Sequence, residues 1–357
     1  MTQNAILFIP DISGFTEFVH HTDISHSRHI ISELLELLID NNTMKLELVE
    51  VEGDALFLYK LEEEVNIEGI KAQIQHMYLA FHTHLKRYEF ERICHCGACS
   101  SAYNLSLKFV VHYGEIEFIK VKDSVKPYGS QVIQVHRLLK NEVPLTEYAI
   151  YTENLIPVSE SPSGIRLTAA YDFGAINFVY EPLKHLKKQL PVVNPIPETV
   201  PKHKIFDKTE SIKIPAIELY EVISNFDYRL LWTKGIDKLD YERNKVNRAG
   251  QKHRCLINKN QVVEQVTVKK TVKRNQLVYG ESTTNVPFTK QINIYYVLEE
   301  SDTGYTNLNI EIFADFKPFG ILLKPLMKKN FQKIISENIK ELILLIDYGF
   351  KIEQQTT

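Results

Sequence analysis

Two aspartates stand beside glycines where apolar runs end, and residues of this type in this setting can hold a metal ion. Asp11 follows the run Ala5–Ile9 and precedes Gly14, while Asp54 follows Gly53 between two further apolar runs. Carboxylate oxygens suit Mg²⁺ and Mn²⁺, and ions held in this way activate hydroxyl groups and neutralise phosphates. Either aspartate alone is explained as well by a turn. The pair predicts a divalent-metal site, provided that the fold brings the two carboxylates together.

Hydrophobic periodicity predicts the strands and helices that must position these aspartates. In the first half of the chain the predicted strands are 5–9, 45–51, 55–61, 105–112 and 115–121. The predicted helices there are 26–41, 66–90 and 131–139. Asp54 then falls at a hairpin turn between two strands, and Asp11 falls just after the first strand.

A proline-rich segment predicts the domain boundary. Four prolines lie close together among polar and small residues, at Pro191, Pro195, Pro197 and Pro201. Such a segment is extended and stiff, so the predicted domains are 1–190 and 204–357, joined by a linker at 191–203. After the linker come a strand, a short helix, a series of strands and a helix from 320 to 348. This order predicts one antiparallel sheet packed against a long C-terminal helix, with a ligand cavity between them.

Composition narrows the class of protein. The chain has 357 residues, 44% hydrophobic and 24% charged, which is typical of a soluble globular protein. It contains no apolar stretch of the ~18 residues that a membrane span requires. Its polar first residues show no signal peptide, and four cysteines in a chain of this length predict a reducing, cytoplasmic environment.

The charge is unevenly distributed along the chain. Residues 201–357 hold 25 Lys and Arg against 19 Asp and Glu, a net charge of +6, whereas the remainder holds 17 against 26, or −9. The positive residues are spread along strand-like segments and the last helix without a dense run. This pattern favours a solvated surface over nucleic-acid binding.

Four segments in the first half resemble one known family. They are Phe8-Ile9-Pro10-Asp11-Ile12-Ser13-Gly14-Phe15-Thr16, Glu52-Gly53-Asp54-Ala55, His112-Tyr113-Gly114-Glu115 and Tyr128-Gly129-Ser130-Gln131-Val132-Ile133-Gln134-Val135-His136-Arg137-Leu138. In this order, over residues 5–183, they are similar to the class III nucleotide (adenylyl and guanylyl) cyclase homology domain. The resemblance implies a ferredoxin-like α+β fold and a head-to-tail homodimer. It also implies that each of two sites draws residues from both chains.

The same resemblance assigns roles at such a site. The implied reaction is attack of a ribose 3′ hydroxyl on the α-phosphate of a nucleoside triphosphate, with pyrophosphate as leaving group. Two Mg²⁺ or Mn²⁺ ions would be held by Asp11, Asp54 and the carbonyl of Ile12. Backbone N–H groups at a helix start would meet the triphosphate, and these belong to Gly14, Phe15 and Thr16. Arg137 of the second chain would stabilise charge that develops on the phosphate.

The sequence departs from the family pattern at several positions. Ile133 stands where the family has an asparagine that orients the ribose. Glu50, at the base-selecting position, resembles the guanylyl cyclase choice, yet Lys126 at the second base-reading position matches neither usual residue. A late phosphate-binding lysine is also not evident near Tyr171–Gly174. Three interpretations remain: an inactive nucleotide-binding domain, a cyclase with altered base preference, or different chemistry on the same scaffold.

Residues 204–350 resemble the START-like superfamily of polyketide cyclase/dehydrase and lipid transport domains. The features are Ile214-Pro215-Ala216 at the first helix, Ile223–Asp227 leading to Trp232, and the long final helix. The resemblance implies a helix-grip fold with a cavity for a small apolar ligand. The alternative function is therefore a catalytically inactive dimer that carries a lipid or another small apolar molecule. Ten aromatic residues could line the cavity, although core packing is the commoner role for each: Trp232, Phe226, Tyr228, Tyr279, Phe288, Tyr295, Tyr296, Phe313, Phe316 and Phe319.

A cysteine cluster gives a second candidate metal site. Cys94, Cys96 and Cys99 lie close together, and thiolates suit Zn²⁺, which takes four ligands in structural sites. The spacing assigns no fourth ligand, with His95 and His112 as candidates. Reduced free thiols in a loop are the alternative interpretation.

Overall fold

The structure is a computed structural model that describes residues 2–20, 24–93, 97–156, 164–243, 245–257, 261–284, 286–301 and 304–348, with the side chains of residues 24 and 25 left undescribed. The chain divides into two compact units. The first contains Met1–Asp23, Ser27–Tyr88 and Ser101–Val193. The second contains Ile24–His26, Glu89–Ser100 and Asn194–Thr357.

The elements follow one another as an α+β chain. Its strands are β1 Gln3–Ser13, β2 Glu47–Glu52, β3 Ala55–Leu61, β4 Ser106–Val121, β5 Ser124–Tyr128, β6 Tyr148–Thr152, β7 Ile165–Tyr171, β8 Gly174–Pro182, β9 His203–Ile212, β10 Ile236–Asp240, β11 Lys252–Ile257, β12 Gln261–Val268, β13 Gln276–Thr283, β14 Thr289–Glu300 and β15 Thr306–Phe316. Its helices are α1 Phe15–His20, α2 Ile24–Asp40, α3 Ile67–Glu91, α4 Gly97–Ser101, α5 Ser130–Arg137, α6 Ala216–Ser224, α7 Phe226–Trp232 and α8 Lys324–Asp347. Short 3₁₀ turns lie at Ala102–Asn104, Lys184–Gln189 and Gly320–Leu323.

The first unit is built on a sheet in the order β2-β3-β1-β4-β6-β8-β7, with β5 paired to β4 outside that path. Strand β1 pairs antiparallel with β3 and β4, whereas β4 pairs parallel with β6. The succession from β1 to β4 is the β-α-β-β-α-β arrangement that the resemblance implies. It places the ends of β1 and β3 beside each other, which is where the two aspartates lie.

The apolar run of β1 is explained by burial on both faces of the sheet. Ala5, Leu7 and Ile9 belong to one buried cluster with Val135 of α5. Phe8 lies on the opposite face, where its ring contacts Phe109 at 5.7 Å between centroids. A strand with both faces covered has no polar alternation, because successive side chains point to opposite faces.

The second unit is a sheet in the order β10-β11-β12-β13-β14-β15-β9, with every neighbouring pair antiparallel. Helices α6 and α7 lie between β9 and β10 in the chain, and α8 contacts α7 and β9. Buried residues of α8 recur at helical spacing, at Ile335, Asn338, Ile339 and Leu342. An antiparallel sheet with a long C-terminal helix is therefore present, as the sequence predicts.

Two local predictions are wrong. Residues 106–121 form one strand, β4, rather than two strands separated at Tyr113 and Gly114, because Gly114 stays paired with Ala5 of β1. Trp232 ends helix α7 instead of lying in a loop, where its indole N–H donates to the Val222 carbonyl at 3.2 Å. Within the described residues, no helix is long and apolar enough to cross a membrane.

Candidate functional site

The fold brings the strand-end aspartates to one place. Asp11 lies opposite Ala55 in the β1–β3 pair, and Asp54 occupies the turn that precedes β3. The N–H of Ile12 donates to the Asp54 carbonyl at 3.1 Å, which ties the turn to β1. Gly53 has a φ of 68°, a left-handed conformation that glycine adopts without strain.

The two carboxylates destabilise each other's charge. Burial raises the pKa of Asp54, and the neighbouring Asp11 charge raises it further, to about 6. Burial also raises the pKa of Asp11, although Lys108 opposes the shift. Lys108 lies opposite Asp11 on β4, and its Nζ is 3.5 Å from Asp11 Oδ2. A divalent cation at this point would relieve the repulsion.

The donor atoms fit a hard cation. They are two carboxylates and the Ile12 carbonyl, which faces the Asp54 turn because the N–H and C=O of one strand residue point to the same side. In the part of the chain that the structure describes, no group of three or more His, Cys, Asp and Glu side chains is placed to hold a metal. The remaining ligands would be water and phosphate oxygens, as Mg²⁺ usually retains.

Gly14, Phe15 and Thr16 lie where β1 passes into α1. The first helical hydrogen bond there runs from the Phe18 N–H to the Gly14 carbonyl at 3.0 Å. The N–H groups of Phe15 and Thr16 belong to a first helical turn, which has no acceptors within its own helix. Their role in binding phosphate stays a prediction, and α1 is only six residues long.

Glu50 and Lys126 meet each other in one chain. They form an ion pair between β2 and β5, and its hydrogen bond lowers the pKa of Glu50. The two residues that the family resemblance places at base-recognition positions are thus adjacent and partly exposed. A base that approached them would find an acceptor and a donor side by side.

Arg137 lies in the last turn of α5 and faces solvent. Its side chain is 52% exposed and its Nη2 lies 3.9 Å from Asp172 Oδ2, an exposed pair that contributes little stability. Ile133, one turn earlier, is 55% exposed. Both side chains are therefore accessible to a second molecule.

Two α5 residues, His136 and Gln131, hold the helix against β2 and β4. Sequence patterns did not identify these contacts. His136 Nε2 lies 2.8 Å from Glu52 Oε1, beside the Asp54 turn, and its Nδ1 lies 2.7 Å from the Val132 carbonyl. Gln131 Oε1 lies 2.6 Å from His112 Nε2 of β4. Lys108 was also missed, because only the register of β1 against β4 places it beside Asp11.

The second unit contains a cavity of about 680 Å³ between its sheet and α8. This volume is in the range of about 300–1,000 Å³ that small-molecule sites occupy. The sheet contributes aliphatic residues, namely Ile236, Ile257, Val263, Ile292, Ile294 and Ile312, and α8 contributes Phe331, Ile334 and Ile335. Of the ten aromatic residues considered from the sequence, Tyr296 lines it, whereas Phe288 and Phe319 are exposed.

A buried polar cluster forms part of the cavity wall. Arg229 and Glu281 form an ion pair with side chains 3% and 4% exposed. The Tyr279 hydroxyl donates to Glu281 Oε1 at 2.6 Å, and Gln265 Nε2 donates to Oε2 at 3.2 Å. His253 Nε2 lies 3.5 Å from Oε1, and burial lowers the pKa of His253 to about 3, so the imidazole is neutral. The cluster thus carries no net charge.

The predicted zinc site cannot be assembled from the described part of the chain. Cys94 and Cys96 lie outside the described residues. Cys99 is buried, and its Sγ lies 3.6 Å from His26 Nδ1. Zinc binding here stays a prediction.

These features define an α+β protein with a paired-carboxylate site in one unit and a ligand-sized cavity in the other. Residues 31–148 match the model of the family DUF2652, whose description is "Protein of unknown function". The chain is 33% identical over 177 residues to the uncharacterized protein Rv2561/Rv2562 of Mycobacterium tuberculosis (strain ATCC 25618 / H37Rv), covering 49% of this chain and 80% of the relative. It belongs to the family of that mycobacterial protein.

Solved structures similar to about half of the chain are nucleotide cyclases. A bacterial light-regulated adenylyl cyclase is 17% identical with a TM-score of 0.39, over 51% of this chain and 52% of that structure. The chain thus spans about half the length of that cyclase. The guanylyl cyclase Cya2 is 11% identical with a TM-score of 0.40, over 52% of this chain and 95% of that structure.

Proposed function

We propose that the first unit binds a nucleoside triphosphate together with two Mg²⁺ or Mn²⁺ ions and cyclises it. The observation that carries this proposal is the convergence of Asp11 and Asp54, whose mutual repulsion a cation would relieve. The ribose 3′ oxygen would attack the α-phosphorus as its hydroxyl proton leaves, and the bond to the β-phosphate would break to release pyrophosphate. When bound, the ions would make the 3′ hydroxyl more acidic and neutralise the charge of the phosphates.

A second copy of this chain completes the proposed site. Apolar side chains of β4, β5 and α5 are 44–62% exposed, and exposed apolar groups mark interaction sites. They are Ile119, Val121 and Tyr128 on one face of the β4–β5 pair, Val125 on its other face, and Ile133 of α5. A partner seated on this surface would bring its own Arg137 to the triphosphate. Ile133 cannot hydrogen-bond a ribose as the family asparagine does, so we expect slow turnover.

The test is product formation with each of the four nucleoside triphosphates and Mn²⁺. We expect a cyclic nucleotide and pyrophosphate in equal amounts, and no product from Asp54→Ala. Mixing that variant with Arg137→Ala should restore part of the activity, because one of the two sites in a mixed dimer is then intact. Product that survives Asp54→Ala would overturn the assignment of the site.

The Glu50–Lys126 pair predicts a preference for GTP. A carboxylate accepts from guanine N1–H and N2–H, and an ammonium group donates to guanine O6, whereas adenine offers the opposite pattern at these positions. We expect GTP to bind at least tenfold more tightly than ATP in calorimetry. The exchange Glu50→Lys with Lys126→Glu keeps the ion pair and should favour ATP. An unchanged order of affinities would contradict base recognition by this pair.

The raised pKa of Asp54 predicts how stability depends on pH without metal. Its pKa is about 6 in the folded chain against an ordinary 3.8, so the folded state holds the proton more tightly. The stability that this proton contributes is complete below pH ~4 and is lost as pH rises through about 6. Partial exposure reduces the loss to about 1 kcal/mol.

Asp54→Asn should remove this pH dependence. In EDTA at pH 7.5, thermal scans should then show the melting temperature of the first unit raised by about 2–4 °C. At pH 4 the variant and the unchanged protein should melt together. A lower melting temperature for the variant at pH 7.5 would contradict the assigned repulsion.

The cavity supports a second function, carriage or sensing of a small ligand by the second unit. The ligand would be largely apolar, because the sheet presents six aliphatic side chains to the cavity and α8 adds Phe331, Ile334 and Ile335. The polar group that meets the buried Arg229–Glu281 pair would be uncharged, because the two residues already balance each other. The charged side chains Lys333 and Glu337, which also line the cavity, are exposed. A helix-grip domain of the START-like type fits this role, and it could couple ligand binding to the first unit.

Mass spectrometry of organic extracts tests the second function. We expect a neutral amphiphile to co-purify with the full chain, and less of it with Ile294→Trp, which fills the cavity. Equal recovery from Val262→Trp, at a side chain that is 58% exposed, is the control. We further propose a cytoplasmic location, where nucleoside triphosphates are abundant and the buried thiol of Cys255 stays reduced.

A further inference from the structure

An exposed apolar tip lies at the start of α8. Five large side chains form it, and we call them the Phe319 tip: Phe288 is 57% exposed, Phe319 86%, Ile321 46%, Leu322 74% and Leu326 57%. The loop before β14 supplies the first, and the segment from β15 into α8 supplies the rest. Single exposed apolar residues need no explanation, but a group of this size marks an interaction surface.

The backbone presents two of these aromatic rings in a strained conformation. Phe288 has a φ of 64° and Phe319 a φ of 63°, values that bulky residues rarely adopt. Hydrogen bonds hold both: the Lys317 N–H donates to the Phe288 carbonyl at 3.0 Å, and the Leu322 N–H donates to the Phe319 carbonyl at 3.2 Å. The missing side chain of Gly320 leaves room for the Phe288 carbonyl. Strain that is held in this way accompanies functional surfaces.

Lysines surround the tip without balancing acids. From residue 317 to residue 336 the sequence has no Asp or Glu and five lysines: Lys317, Lys324, Lys328, Lys329 and Lys333. Lys290, two residues after Phe288, is also exposed. The nearest carboxylate before the segment, Asp315, accepts from the Lys202 N–H at 2.9 Å. In the described residues, none of these six lysines forms an ion pair.

We propose that the Phe319 tip inserts into the headgroup region of an anionic lipid membrane. Aromatic and aliphatic side chains beside lysines are the composition of surfaces that bind reversibly to such membranes, the apolar groups entering the interface and the lysines meeting anionic lipid. A second copy of this chain that met the first through the same tip would oppose these lysines with its own. If nucleic acid bound this surface instead, the aliphatic side chains of the tip would have no apolar partner. This inference does not depend on nucleotide binding by the first unit.

Vesicle co-sedimentation of the full chain tests the proposal. We expect binding to phosphatidylcholine vesicles with 30% phosphatidylserine to be at least tenfold tighter than binding to phosphatidylcholine alone, and to weaken in 0.5 M NaCl. Phe319→Asn with Leu322→Gln should reduce binding at least tenfold, since asparagine accepts the left-handed φ. Lys328→Gln with Lys329→Gln should remove most of the preference for phosphatidylserine. Val192→Asn, at a side chain that is 82% exposed, should bind as the unchanged protein does.

A fluorescent variant adds a direct readout. In Phe319→Trp, vesicles should shift the added emission to the blue, and brominated lipids should quench it, because the indole enters the interface. Trp232 is 2% exposed and gives a constant background. The proposal would be overturned if the protein bound neither kind of vesicle. It would also be overturned if the variant with Phe319→Asn and Leu322→Gln bound as tightly as the unchanged protein.

Discussion

Asparagine in place of Asp54 is expected to lower the affinity for GTP with Mn²⁺ at least a hundredfold. The substitution keeps the shape of the turn but removes one of the two carboxylates around which the site is built. A hard divalent cation loses a charged oxygen ligand for which an amide is a poor replacement. Isothermal calorimetry in Mn²⁺ measures the loss, and circular dichroism confirms that the fold is retained.

A second aspartate, outside the proposed site, serves as a control for the loss of one negative charge. Asp40, at the exposed end of α2, carries the same charge in the same unit, so Asp40→Asn should bind GTP with unchanged affinity. For the unchanged protein, affinity should rise between pH 5 and pH 7, because the Asp54 carboxyl, with a pKa of about 6, must lose its proton to bind a cation. Equal affinity for Asp54→Asn and Asp40→Asn would contradict the assigned site.

Methionine in place of Arg229 is expected to destabilise the second unit by about 3–5 kcal/mol, because it leaves a buried carboxylate without its partner. Glu281 is 4% exposed, so water would hydrate its carboxylate poorly without the guanidinium. Removing both charges with Arg229→Met and Glu281→Leu should recover most of the stability, since apolar groups of similar volume tolerate burial. The stability lost in Arg229→Met therefore reflects the cost of burying an unpaired carboxylate, not the net stabilisation by the ion pair.

Guanidinium unfolding followed by Trp232 fluorescence measures this effect. Trp232 is the only tryptophan, and the Arg229 guanidinium lies 5.1 Å from its ring centroid. The exposed pair Lys252–Glu264, at 3.3 Å, is the control, and Lys252→Met should change stability by less than ~1 kcal/mol. A double variant that is no more stable than Arg229→Met would contradict the explanation.

The sequence was sufficient for features that are local. The apolar run of β1, the turn at Gly53 and Asp54 and the long last helix each depend on neighbouring residues, and all are present. The long-range contacts were not predictable. Lys108 lies beside Asp11 only through strand register, and Arg229 is 52 residues from Glu281.

Charged residues on strands are usually read as surface, which is why the polar wall of the cavity escaped prediction. Glu281 lies on β13 among buried neighbours, and only the packing of α7 against the sheet explains its partner. Phe288 and Phe319 were likewise considered for a cavity wall or for core packing, because a sequence carries no signal for a left-handed φ at phenylalanine. In the structure both residues have a left-handed φ, and both side chains are exposed.

Counting Mn²⁺ ions by electron paramagnetic resonance tests the central claim most directly. The six-line signal of free Mn²⁺ falls as ions bind, so a titration gives their number per chain. With a non-hydrolysable GTP analogue, we predict two ions per chain for the unchanged protein and for Asp40→Asn, and none that bind tightly for Asp11→Asn with Asp54→Asn. Undiminished binding by that double variant would contradict the claim that these carboxylates form a nucleotide-dependent metal site.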